Sequence, residues 1–141
     1  MVKVKDVIEV VVAFIIAFLV YQALVLATGT PVPVVSVASG SMIPKFYPGD
    51  LVISTAPKNL NVGDIIIYRA RPGCFERIEN EDIIHRIIRF ENEKIITKGD
   101  NNPREDPCPV ERAQVKAKVV FAVPLLGWPR LILNYLIEML F

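Results

Sequence analysis

Hydrophobic residues are spread unevenly along the chain. Val10 to Ala27 reads VVVAFIIAFLVYQALVLA, without a charge and with Gln22 as the one strongly polar residue. With Val7, Ile8 and Thr28 the run reaches the roughly 20 residues that cross about 30 Å of hydrocarbon as a helix. A helix packed on a globular core would carry a polar face, and this one has none. The apolar core of a cleavable secretory signal usually spans about 7–15 residues, and Gln22 to Ala27 makes a poor cleavage site, so the run predicts a retained anchor. Lys3 and Lys5 precede it, and no Lys or Arg follows until Lys45. That bias places the N-terminus in the cytoplasm and everything after Thr28 outside, in a single-pass protein of the cell membrane.

Beyond the anchor the pattern changes from helical to extended. Gly29-Thr30-Pro31-Val32-Pro33 ends the helix, because proline lacks a donor and clashes with the preceding turn. Val34–Val37, Leu51–Ser54, Asp64–Tyr68, Ile83–Phe90, Lys94–Lys98 and Val115–Val123 are rich in β-branched residues and bounded by Gly, Pro, Asn or Asp, which predicts strands. Phe90-Glu91-Asn92-Glu93-Lys94 predicts a hairpin turn. Residues 71–82 and 100–113 are polar loops. The fold expected is mainly β, a small antiparallel domain behind an N-terminal membrane helix and ahead of a short apolar C-terminal helix. Residues 1–28 form the cytoplasmic end and anchor, 29–123 an extracytoplasmic β-domain, and 124–141 the helix. From Pro129 on, about a dozen residues give roughly 18 Å of helix, too short to span a bilayer. Arg130, Asn134 and Glu138 make one narrow polar stripe on it. That suits a helix in the membrane interface with Trp128 at headgroup depth, packing on the β-domain being the alternative.

Composition removes several classes of function. The chain has 141 residues, 52% hydrophobic and 22% charged, and its net charge is +1. Near-balance of charge supplies no field for gripping a phosphate backbone, so no nucleic-acid partner is expected. Two cysteines and one histidine make no recognisable metal-ligand set, and neither metal nor other cofactor is expected. Cys74 and Cys108 face an oxidising compartment if the topology holds; a disulfide and two free thiols both remain open, because sequence gives no distance between them.

Chemistry concentrates in three segments. Ser39-Gly40-Ser41-Met42-Ile43-Pro44 sits between two strands, where Gly40 permits a sharp turn; alone, such a loop is usually just a loop. A serine hydroxyl becomes a nucleophile only with a base in reach and donors waiting for the oxyanion. His85 is the single histidine, so any serine–histidine mechanism must use it. Strand alternation puts it on the face of Ile83 and Ile87, where a covered structural histidine is the plainer reading; partial burial there would also keep the imidazole neutral and able to accept a proton. A carboxylate must orient that ring, and residues 98–107 (KGDNNPREDP) offer Asp100, Glu105 and Asp106. The residues themselves leave Asp100 and Asp106 equally open.

Ser39-Gly-Ser-Met-Ile-Pro44 with Pro48-Gly-Asp-Leu-Val-Ile53, Val62-Gly-Asp-Ile-Ile-Ile67, His85-Arg86 and Thr97-Lys-Gly-Asp-Asn-Asn102, in that order behind an apolar run, strongly resemble the type I signal peptidases. Coverage runs from about Val10 to about Val123. Bacterial members place a lysine base where this chain has His85, so the resemblance is to the archaeal and endoplasmic-reticulum branch, which works with serine and histidine. It implies Ser41 as nucleophile, His85 as base, and an oxyanion hole from the Ser41 backbone N–H and the Ser39 hydroxyl. It also implies Asp106, six residues after Asp100, as the orienting acid, Asp100 as a site-supporting residue, and Met42 as a substrate contact. The long insertions of some bacterial members are missing.

The function so implied is a membrane-bound serine endopeptidase that cleaves N-terminal signal peptides from exported preproteins. Its partners would be those preproteins, the lipid bilayer and neighbours in the export machinery. A non-catalytic membrane-anchored subunit or scaffold of that machinery is the alternative. Self-cleaving repressors of the DNA-damage type share a similar serine box, but they use a lysine base and carry a DNA-binding domain, and neither sign is present. Thirteen residue-to-residue steps lead from Thr28 to Ser41, at most about 45 Å of chain, which keeps the nucleophile near the membrane surface.

Overall fold

The computed structural model describes residues 2–75 and 80–140; the side chains of Arg130, Leu131, Asn134, Glu138 and Leu140, and with them the polar stripe expected on the C-terminal helix, lie outside the described part. Helix α1 runs from Val4 to Thr28, 25 residues with mean hydropathy 2.7 in its most apolar window and nothing from the rest of the chain burying it. It is long and apolar enough to cross a membrane. The Asp6 carboxylate accepts the Lys3 N–H at 3.0 Å and satisfies one of the donors a helix start leaves free.

Six strands follow: β1 (Val34–Ser36), β2 (Leu51–Thr55), β3 (Ile65–Arg69), β4 (Asp82–Glu91), β5 (Lys94–Lys98) and β6 (Val115–Val123). They form one antiparallel sheet in the order β1-β2-β6-β3-β4-β5. The fold is mainly β, with each strand within two residues of its sequence-based bounds. Between β4 and β5 the turn residues Asn92 and Glu93 both have positive φ, 47° and 64°, the combination that matches the twist of a tight hairpin. A short 3₁₀ helix at Arg112–Gln114 precedes β6, in a stretch the sequence presents only as polar loop.

Each sheet face buries its own cluster. Ile66, Tyr68, Ile83, Ile87 and Ile95 pack on one, joined by Leu60, Val110 and Val115. Val37, Met42, Phe46, Val52 and Ile65 form the other. β3 lies between β6 and β4 with both faces covered, and Ile65 to Tyr68 are all buried, as an uninterrupted apolar run requires. Cys74 and Cys108 are disulfide-bonded across 34 residues of sequence, tying the loop after β3 to the loop after β5.

After β6 the chain turns back over β1. The Gly127 N–H donates to Gly49 O at 2.8 Å and the Leu125 N–H to Asp50 Oδ1 at 3.2 Å. Gly49, at φ 96°, lies under the Trp128 indole, so close that a Cβ there would sit 2.3 Å from Nε1. Helix α2 (Trp128–Leu140) continues from this point with Ile132, Leu133, Tyr135, Leu136, Ile137 and Met139 exposed. These side chains are not packed on the β-domain.

Closing a loop of this length lowers the entropy of the unfolded chain by an amount worth about 3–4 kcal/mol in the chain-entropy model. Replacing both Cys74 and Cys108 by serine should lower the stability of the β-domain by about that much, read as a lower denaturation midpoint in detergent.

Candidate active site

Register decides which side chains meet. His85 pairs with Ile66, Tyr68 lies two residues along β3 from that pair, and Ile87, two residues from His85, pairs with Thr97. Steps of two keep a side chain on one face, so Tyr68, His85 and Thr97 project from three neighbouring strands toward the same side. Asp106 comes to that place from the loop after β5. Its N–H donates to Thr97 O at 2.9 Å, and Pro103 and Pro107 stiffen its segment.

Three donors converge on one carboxylate oxygen. Asp106 Oδ2 lies 2.6 Å from His85 Nδ1, 2.6 Å from Thr97 Oγ1 and 2.9 Å from the Tyr68 hydroxyl. The His85 and Asp106 side chains are 6% and 3% exposed. Burial pushes the Asp106 carboxyl upward, but the bonds and charge of His85, with the Thr97 and Tyr68 hydroxyls, outweigh it and hold the group below the ordinary range. The Tyr68 hydroxyl is shifted strongly upward, by burial first and then by the Asp106 charge. It therefore stays protonated and donates.

A carboxylate accepts and cannot donate, so His85 must carry its proton on Nδ1 when neutral. Nε2 is then free to accept, and it faces Ser41 Oγ at 3.1 Å. Ser41 is held from behind, where Asn101 N–H donates to Ser41 O at 2.8 Å and Asn101 Nδ2 to Gly40 O at 3.1 Å. Ser39 Oγ lies 3.3 Å from Ser41 Oγ. Met42 is 1% exposed and packs into the second cluster, which pins the loop that carries Ser41.

Of the two aspartates left open by the sequence, Asp106 is the one bonded to His85. Asp100 instead grips Arg86 with two parallel bonds, Nε to Oδ1 at 2.8 Å and Nη2 to Oδ2 at 2.7 Å, while Arg86 Nη1 reaches Gly63 O at 2.8 Å. The Arg86 bonds, against a smaller opposing effect of burial, hold the Asp100 carboxyl low. Asp100 thus fixes the turn that carries Gly99 and Asn101. Gly99 needs its missing side chain: a Cβ would lie 2.7 Å from Ser41 O and 2.9 Å from His85 Nε2.

Thr97, Gly99 and Asn101 lie in a box that carries the family resemblance, but the sequence assigns no role to them or to Tyr68. One signal was present: a tyrosine in a fully buried strand needs a partner for its hydroxyl. Beside Ser41 a groove of about 280 Å³ opens, lined by Val35, Val37, Ala38, Phe75 and Ile84 and also by Ser39, Met42 and His85.

A hydroxyl, an imidazole and a carboxylate in hydrogen-bonded sequence beside a groove are the set of groups that serine hydrolases use. The family model described as "Signal peptidase, peptidase S26" matches residues 7–102, a span that includes Ser39, Ser41, Met42, His85 and Asp100 and stops short of Asp106. The signal peptidase complex catalytic subunits SEC11 of Pyricularia oryzae and Chaetomium globosum are each 32% identical to this chain, and that of Verticillium alfalfae is 30% identical. Each match covers 84% of this chain and 73% of the relative. The chain belongs to the signal peptidase family, peptidase S26, and is a protease of the kind that cleaves signal peptides.

Two outcomes follow from this geometry. Gly99→Ala should lower kcat/KM by about a hundredfold, because the new methyl group must displace Ser41 or His85 by a fraction of an ångström or more. Asp100 is lower in pKa folded than unfolded, so its pairing stabilises the fold above pH 3.8 and the benefit is lost as pH falls through the lowered folded value. Asp100→Asn should therefore lower Tm at neutral pH, and the gap to wild type should narrow as pH falls below 3.8, measured by thermal unfolding across that range.

Proposed function

We propose that this chain is a membrane-anchored serine endopeptidase in which Ser41 is the nucleophile, His85 the general base and Asp106 the group that orients His85. The observation that carries the reading is the unbroken line from Asp106 through His85 to Ser41, with contacts of 2.6 and 3.1 Å. Ser41 Oγ attacks the carbonyl carbon as Nε2 takes its proton. The imidazolium so formed is stabilised by Asp106, and the Ser41 N–H and Ser39 hydroxyl meet the oxyanion. His85 then passes its proton to the leaving amine. Water, deprotonated by the same nitrogen, hydrolyses the acyl-enzyme and restores Ser41.

The substrate lies as an extended strand beside β1. That strand ends the sheet order, with β2 as its ladder partner, and the groove follows residues 35–39. Backbone pairing supplies affinity, and alternate side chains turn toward the apolar wall to which Met42 contributes. The likeness to signal peptidases implies small side chains at two alternate positions before the cut, since a strand turns every second residue toward the same wall.

We place α1 across the bilayer with Lys3 and Lys5 on the cytoplasmic side, residues 29–123 outside, and α2 in the outer interface with its exposed apolar side chains in lipid. The Cys74–Cys108 disulfide supports a compartment outside the cytosol. The relatives are named as catalytic subunits of a signal peptidase complex, and neighbours in an export assembly are proposed here too.

The test is cleavage of a preprotein by the detergent-solubilised full chain. Ser41→Ala and His85→Ala should each reduce cleavage by about a thousandfold or more. His85→Lys should restore little, because an ammonium loses its proton at neutral pH only in a drier pocket. Cleavage by Ser41→Ala or His85→Ala at the wild-type rate would remove the assignment.

A further inference from the structure

The apolar helix does not hang on a tether. A helix end leaves its last carbonyls without intrahelical donors; here Thr28 O accepts the Ala56 N–H at 2.8 Å and the Thr55 hydroxyl at 3.0 Å, both at the end of β2. Gly29, at φ 68°, closes α1 by donating to Val25 O, and a Cβ on it would lie 3.3 Å from that of Ala56. Thr30 is 1% exposed, and its hydroxyl donates to Lys116 O of β6 at 2.9 Å. Pro31 O accepts the Tyr21 hydroxyl of α1 at 3.1 Å. Val32 O and Pro33 O accept the Ser54 hydroxyl and N–H at 2.5 and 3.0 Å. Each residue between the last turn of α1 and the first residue of β1 is thus bonded to the helix or to the sheet.

We propose that this junction is a rigid mount: it fixes the height of Ser41 above the bilayer and thereby selects which peptide bond of a membrane-inserted substrate is cut. The proposal rests on the reading of the chain as a membrane-anchored serine peptidase. Enzyme and substrate are then both referenced to one plane, the enzyme through α1 and the substrate through its own apolar segment. An extended strand advances about 3.3 Å per residue, and alternation makes a shift of two residues, about 7 Å, the smallest that presents the same face. A free five-residue tether would let the domain wander by roughly 12 Å, enough to offer several bonds to Ser41. The observed junction removes that freedom. Tyr21, Thr28, Thr30 and Thr55 are accordingly positioning residues that act on the choice of bond, and none of them touches the reacting atoms.

The experiment uses the full chain in phosphatidylcholine–phosphatidylglycerol vesicles and a preprotein carrying two identical cleavage motifs at different distances from its apolar segment. Product masses give the ratio of cuts. A short soluble peptide with the same motif and no apolar segment reports the chemistry alone. Wild type should favour one motif by about tenfold or more, whereas a Gly-Ser-Gly-Ser insertion after Gly29 should bring the ratio toward unity with short-peptide kcat/KM within about threefold of wild type. The paired Thr30→Val and Thr55→Val changes should move the ratio the same way without lengthening the chain. An unchanged ratio in both variants overturns the mount, as does equal loss of preprotein and short-peptide cleavage in both, which would give the junction a folding role alone. The peptidase reading fails separately, through cleavage that persists in Ser41→Ala.

Discussion

A buried carboxylate is the constraint on which the rest of the structure turns. Removing such a charge from water costs several kcal/mol unless its lone pairs are met. Asp106 Oδ2 is met by donors from β3, β4 and β5, namely Tyr68, His85 and Thr97. Each of those strands must hold its register for this to happen, because a one-residue slip would turn its donor to the opposite face. Folding and the proposed chemistry therefore share one requirement. The same three bonds that make the interior tolerable leave His85 with one tautomer and aim its second nitrogen at Ser41.

The surrounding features supply that arrangement with its remaining parts. Two loops meet over Nε2, one carrying Ser41 and the other Gly99 to Asn102, and they lock through the Asn101 N–H on Ser41 O and the Asn101 side-chain amide on Gly40 O because Gly99 leaves room. Arg86, next to His85 in β4, points the other way and holds the second loop through Asp100. The Cys74–Cys108 bond fastens the segment two residues beyond Asp106 to the loop that brings Phe75 to the groove. At the far side, the end of α1 is bonded into β2 and β6, so the sheet that builds the site also carries the long apolar helix.

Much of this fold was legible from local pattern. β-branched runs between turn residues located all six strands, and Asn92-Glu93 marked the hairpin, since both signals reside in a few adjacent residues. Alternation put His85 on the Ile83 and Ile87 face without any knowledge of its neighbours. Partnerships between distant segments were not legible in the same way. Asp100 and Asp106 have the same chemistry, and the choice between them depends on how a proline-stiffened loop folds back on Thr97. The family resemblance favoured Asp106, and the geometry joins Asp106 to His85 by a route the sequence does not display. Thr97 opens one of the boxes that carry the resemblance, but nothing local shows that its hydroxyl meets Asp106, and the disulfide depends on a distance no spacing encodes.

The central claim is that His85 carries its proton on Nδ1, toward Asp106, and offers Nε2 to Ser41. Because the chain has one histidine, nitrogen-15 NMR of the histidine-labelled protein reads that ring alone. In its neutral form the ring should be a single tautomer protonated at Nδ1, with that proton strongly deshielded and the signal lost in Asp106→Asn. A ring protonated at Nε2, or one exchanging freely between tautomers and indifferent to Asp106→Asn, would contradict it.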